Sequence, residues 1–176
     1  MASKARASAP PGAPTGNLIR DSALGLVPET LTEIVALNGA VWERSLVPPA
    51  LLEAIRLRNA RTVNCVYCKS VRYEAARADG LTEERAAMID ADYARSALGE
   101  REKLAIALAD AYLGFPAGMD AALAARRRRA ISAEQLASMF VALMAFNFTS
   151  RTAVSIGGMP EEPLPITVLP MSATHG

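Results

Sequence analysis

Residues 49–80 read PALLEAIRLRNARTVNCVYCKSVRYEAARADG. Pro48 and Pro49 are suited to a first helical turn, and Leu51, Leu52, Ile55 and Leu57 then recur at helical spacing. A helix ending near Val63 follows. Asn64 has the side chain of an N-cap for the next helix, which this pattern carries to the stop signal at Gly80. Between the two helices stand Cys65 and Cys68, the only cysteines in the chain. With Asn64 as cap, Cys65 takes the first helical position and Cys68 lies one turn in. Unpaired N–H groups and the positive helix end there favour thiolate over thiol. Positions 65, 68 and 72 follow i, i+3, i+7 spacing and so share a face. Arg72 is then either a cation that lowers the pKa of Cys68 or a solvated surface arginine. The pair itself reads as redox chemistry, against the alternative of two small buried hydrophobes.

Outward from this stretch nearly everything reads as helix. Pro28 and Glu29 open a helix with Leu31, Ile34 and Val35, for which Asn38 and Gly39 are a candidate stop or break. Thr82 starts a short helix through Ala87 and Met88, and Gly99 and Glu100 precede a longer one that ends at Gly114 and Pro116. A further short helix is expected from Asp120 to Arg127. Ser132 and Gln135 have capping-box spacing ahead of the longest helix, Ala133 to about Ile156, stopped by Gly157, Gly158 and Pro160. No segment shows strand alternation between hairpin turns, and alanine-rich, aromatic-poor composition favours helices packed through small residues. The expected class is all-α. Residues 1–16, rich in Ala, Pro, Ser and Gly, are expected to be a disordered tail, and 17–160 a single helical domain. Pro163, Pro165 and Pro170 exclude a helix from 161–176, but Leu164, Ile166, Val168 and Leu169 are too apolar for a free linker. This tail is expected to lie across its own subunit or a neighbour.

Composition excludes several classes. A formal net charge of +1 gives no field for nucleic acid or an acidic membrane surface. The start of the chain lacks the apolar core of a signal peptide, and the apolar run Met139–Phe146 is too short for a bilayer. A cytoplasmic protein without membrane or nucleic-acid partners is expected. In that compartment a lone cysteine pair suits catalysis, metal binding or redox sensing better than a structural staple. A structural zinc site wants four ligands, whereas two cysteines and the single, distant His175 are present. No metal or cofactor is expected. The run Arg126–Arg129 has no interleaved aromatics for base stacking and reads as a solvated helix end. Glu53 has Leu57 and Ala60 at i+4 and i+7, so it is either a partly desolvated carboxyl with a raised pKa or an exposed ion pair with Arg56 at i+3. Tyr67 either presents its phenol to the thiols or packs.

The stretch from Glu53 through Cys65-Val66-Tyr67-Cys68, flanked by helices, resembles the alkylhydroperoxidase AhpD-like group of the carboxymuconolactone decarboxylase superfamily. That group carries a Glu twelve residues before a C-x-x-C pair and a His four residues after it; Glu53, Cys65 and Cys68 stand at those offsets. Arg101-Glu102-Lys103-Leu104 and Phe146-Asn147-Phe148 add to the likeness, which covers roughly residues 28–158. The resemblance implies an AhpD-like helical fold and an oligomer of one chain, as trimer, hexamer or dimer. It also implies a peroxidase or disulfide oxidoreductase acting on a hydroperoxide or disulfide substrate with a thiol reductant. On this likeness Cys68 attacks, Cys65 resolves and Glu53 relays protons. The chain departs from the pattern where Arg72 replaces the family's His. Arginine stays protonated and cannot serve as a general base, although it can hold a thiolate. Two alternatives remain from the same resemblance: a redox-responsive or structural oligomer without turnover, and a decarboxylase-type lyase.

Overall fold

The computed structural model describes residues 15, 20, 23–156 and 160–170. The disorder expected for residues 1–16 falls, apart from Thr15, outside the described residues, as do Gly157, Gly158 and His175. A 3₁₀ turn at Ala23–Leu26 leads into α1 (Pro28–Glu43) and α2 (Pro49–Val63). The chain continues through α3 (Val66–Ser70), β1 (Val71–Tyr73), α4 (Glu74–Ala78) and α5 (Glu83–Ala87). After a second 3₁₀ turn at Tyr93–Arg95 come α6 (Glu100–Leu113), α7 (Ala121–Ala130), α8 (Ala133–Ile156) and β2 (Thr167–Leu169). The framework is helical. Among the described residues it is joined by the parallel pairing of β1 with β2, with Val71 opposite Thr167 and Tyr73 opposite Leu169. Residues 167–169 of the proline-rich segment therefore lie beside the strand that follows the cysteines.

Helix α2 is the axis of the fold. It packs against α8, α6, α4 and α3, and only Thr62 along its length is exposed. Leu52, Ile55, Leu57 and Ala60 are wholly buried, and each large aliphatic side chain removed from water in this way contributes roughly 1.5–3 kcal/mol. Met139, Ala142, Leu143 and Phe146 of α8 meet α2 in the main core. Over its 24 residues α8 is long and apolar enough to cross a membrane by length and composition, the one such helix among the described residues. Its buried stripe and its side-chain bonds to α2 give it instead the part of a core helix.

Three local expectations change. Helix α1 runs through Asn38 and Gly39, because Val35, Asn38, Val41 and Trp42 are buried and tertiary packing outweighs the local stop signal. Asn64 is not an N-cap. It ends α2 in the left-handed conformation (φ 59°, ψ 39°), and Cys65 caps α3. The third helix does not reach Gly80 in one piece; it stops at Ser70 and gives way to β1.

The break after Ser70 has a visible cause. The carbonyls of Cys68, Lys69 and Val71 would each accept a backbone N–H four residues on if the helix continued. Guanidinium groups take them instead: Arg56 donates to the oxygens of Cys68 (2.8 Å) and Val71 (2.7 Å), and Arg72 to those of Lys69 and Val71 (2.8 Å each). Val71 and Tyr73 suit a strand, and Tyr73 is held between Trp42 (ring centroids 4.1 Å apart) and the Arg56 guanidinium (5.5 Å). Capping behaves more simply elsewhere. Thr82 and Asp120 each accept an N–H of the first turn that follows, and Ser132 and Gln135 exchange reciprocal bonds of 3.2 Å.

Candidate active site

The site is built at the junction of α2 and α3. The left-handed Asn64 turns the chain sharply, and the Cys65 N–H donates back to the Ala60 carbonyl at 2.9 Å. Cys65 and Cys68 are joined as a disulfide with Cα atoms 5.2 Å apart. Their surroundings differ. Cys65 is wholly buried, whereas Cys68 is half-buried and reaches solvent. Each sulfur has a donor of its own: the Cys68 N–H lies 3.2 Å from Cys65 Sγ, and the Ser150 hydroxyl lies 3.3 Å from Cys68 Sγ. With only five residues, α3 has a small macrodipole, so these discrete donors carry the electrostatics expected from a long helix.

Glu53 lies inside the protein, and both alternatives read from its spacing are half right. It pairs with Arg56 at i+3, but the pair is buried, with Nε and Nη2 of Arg56 each 2.6 Å from a separate carboxylate oxygen. Burial pushes the Glu53 pKa up, with Arg56 and then Arg72 pulling against it. Desolvation works against the charge of Arg56, but the Glu53 carboxylate more than offsets this and leaves its pKa raised. Glu53 thus connects to the thiols through Arg56, whose Nη1 holds the Cys68 carbonyl.

Arg72 does not share a helical face with the cysteines, because α3 ends two residues before it. It is buried rather than solvated. Its guanidinium pairs with Glu83 at 3.1 Å and donates to backbone carbonyls, among which the Lys69 and Val71 oxygens lie beside the thiol turn. Tyr67 is half-buried between the cysteines. Among the described residues no three His, Cys, Asp or Glu side chains gather in a metal-binding group.

Two residues, Asn59 and Ser150, escaped the sequence reading, and a third, Arg56, was read only as a surface partner of Glu53. Arg56 is the hub that joins Glu53 to the thiol turn. Asn59, wholly buried, donates to Ser150 Oγ at 3.1 Å and accepts from Asn147 Nδ2 at 2.7 Å; Ser150 completes the contact to sulfur. A signal was present on α2: positions 53, 56 and 59 place three polar residues three apart, beside the apolar Leu52, Ile55 and Leu57. Ser150 carried no such signal, since nothing local ties it to a residue 82 positions away.

A disulfide between a buried and an accessible sulfur, each with a hydrogen-bond donor, can cycle between oxidised and dithiol forms. Comparison with curated proteins gives no match, and comparison with solved structures gives none. Residues 28–102, from α1 to the start of α6 and with Glu53, Cys65 and Cys68 among them, match the model of the carboxymuconolactone decarboxylase family, so this segment is similar to that family.

Proposed function

We propose that the protein is a thiol-dependent oxidoreductase that reduces hydroperoxides or disulfides through Cys65 and Cys68. The observation that carries this reading is the asymmetry of the pair, an accessible Cys68 bonded to a fully buried Cys65. In the dithiol form the Cys68 thiolate attacks the terminal oxygen of a hydroperoxide. The O–O bond breaks, the leaving alkoxide takes a proton to become an alcohol, and Cys68 becomes a sulfenic acid. The Cys65 thiol then attacks that sulfur, the S–O bond breaks and water leaves as the disulfide forms. An external dithiol restores both thiols and is itself oxidised to a disulfide.

Glu53 is the buried carboxyl of the site and its candidate proton relay; Arg56 couples it to the Cys68 backbone. Arg72 contributes by fixing the turn, since its donors are engaged by Glu83 and by carbonyls. The reading includes self-assembly in a reducing, cytoplasmic setting. Val141, Met144 and Phe148 recur at helical steps on the exposed side of α8, as a contact with a second copy requires.

A second reading, a redox-responsive oligomer without turnover, is favoured by one observation: both Glu53 oxygens are held by Arg56, and an arginine stands where the likeness expects a histidine. Hydroperoxide consumption with a dithiol reductant separates the two. Turnover that is lost in Cys68→Ser supports the oxidoreductase; equal rates in variant and wild type refute it. Turnover of a small carboxylic acid that survives loss of both thiols would point instead to lyase chemistry on Glu53.

A further inference from the structure

The contact between Ser150 and Cys68 is the last link of a longer chain. Arg151 Nε donates to Asn147 Oδ1 at 2.9 Å, Asn147 Nδ2 to Asn59 Oδ1 at 2.7 Å, and Asn59 Nδ2 to Ser150 Oγ at 3.1 Å. Ser150 Oγ then lies 3.3 Å from Cys68 Sγ. The direction of this chain follows from chemistry. Arginine has donors and no acceptor, so Asn147 must turn its oxygen to Arg151 and its NH₂ to Asn59. Asn59 must then accept with its oxygen and donate to Ser150. With a donor already on its oxygen, Ser150 directs its own proton to the sulfur. Every link points the same way, from an exposed permanent cation to the half-buried Cys68, and such runs polarise along their length.

We infer that Ser150 is a catalytic residue that stabilises the Cys68 thiolate by donating its hydroxyl hydrogen to Sγ, with Asn59, Asn147 and Arg151 as positioning residues that fix the direction of that bond. This rests on the thiol reading of the site. No proton need leave Ser150: the hydrogen bond shortens and strengthens when the disulfide opens and charge develops on sulfur. The charged groups on neighbouring elements are otherwise engaged. Arg56 is held by Glu53 and by carbonyl oxygens, Lys69 by the Asn64 side chain at 2.7 Å, and Arg72 by Glu83. Ser150 is the side-chain donor on the reactive sulfur among the described residues, and it is almost fully buried, where a hydrogen bond to charge is worth most.

The test is the rate of Cys68 alkylation by a small electrophile, as a function of pH, in the fully reduced protein. Ser150→Ala should move the profile to higher pH and slow alkylation at neutral pH by about three- to tenfold, while Ser150→Thr, which keeps the hydroxyl, should retain most of the rate. Arg151→Met alters only an exposed side chain, so it reports even if the buried variants fold poorly. It should slow alkylation by about twofold with unchanged thermal stability. Wild-type profiles in folded Ser150→Ala, or in Arg151→Met if Ser150→Ala does not fold, overturn the inference. No peroxide enters this measurement, so it stands apart from the turnover assay: a wild type that fails to consume peroxide refutes the proposed activity without touching the Ser150 bond.

Discussion

Helix α2 presents two polar systems to the thiols, and they differ in charge, target and consequence. The first is the ion pair of Glu53 and Arg56, which grips the backbone of the thiol turn through the Cys68 and Val71 carbonyls. The second is the neutral chain from Asn147 through Asn59 to Ser150, which ends on the Cys68 sulfur itself. A buried charge needs a partner at close range and binds its surroundings rigidly. A neutral donor can approach sulfur without imposing a fixed charge on it in both redox states. One face of a single helix thus separates the holding of the turn from the tuning of the thiol.

The largest effect should come from breaking the charged system. Arg56→Ala leaves Glu53 buried without its cation and frees two carbonyls, and is expected to lower stability by about 3–5 kcal/mol, as read from denaturant midpoints; a loss below about 1 kcal/mol would show that the pair is not what holds the turn. A pH effect of smaller size follows from Glu53. Burial raises its pKa, so above the ordinary carboxyl range the folded chain retains a proton that the unfolded chain releases. The resulting stabilisation is complete at low pH and is lost as pH rises through the raised value. Unfolding midpoints taken from about pH 4 to about pH 8 should carry this falling component, and Glu53→Gln should remove it. Parallel profiles for the two proteins would mean that Arg56 keeps the carboxyl ionised throughout.

The smallest effect on the thiol is expected at Arg72. Its Glu83 pair and carbonyl bonds keep its charge away from sulfur, so Arg72→Ala should change Cys68 alkylation by less than about twofold, although stability falls by roughly 1.5–3 kcal/mol for lost charged hydrogen bonds. If alkylation instead falls as far as in Ser150→Ala, charge and neutral donors act on the sulfur together and the division drawn on α2 fails.

Much of this was legible in the chain. The helical framework follows from Pro28, Pro49, Thr82, Asp120 and Ser132 at helix starts and from apolar spacing, both of which are local signals. Glu53, Cys65 and Cys68 were visible because their spacing is short and their residue types are chemically unusual on helices. The strand β1 was not legible, since three residues of Val-Arg-Tyr inside a helical pattern carry no period of their own. Arg72 was misplaced for the same reason: its assigned face depended on a helix that stops at Ser70.

An all-α framework, a thiol pair and the carboxyl twelve residues before it could be read from the chain, because helix periodicity and capping act within a few residues of each position. Which sulfur is accessible, the burial of Glu53 against Arg56, and the reach of Ser150 to Cys68 emerge from long-range packing. Those facts depend on how α2, α3 and α8 pack together, and on hydrogen bonds that form only when burial leaves a polar group no water to bind.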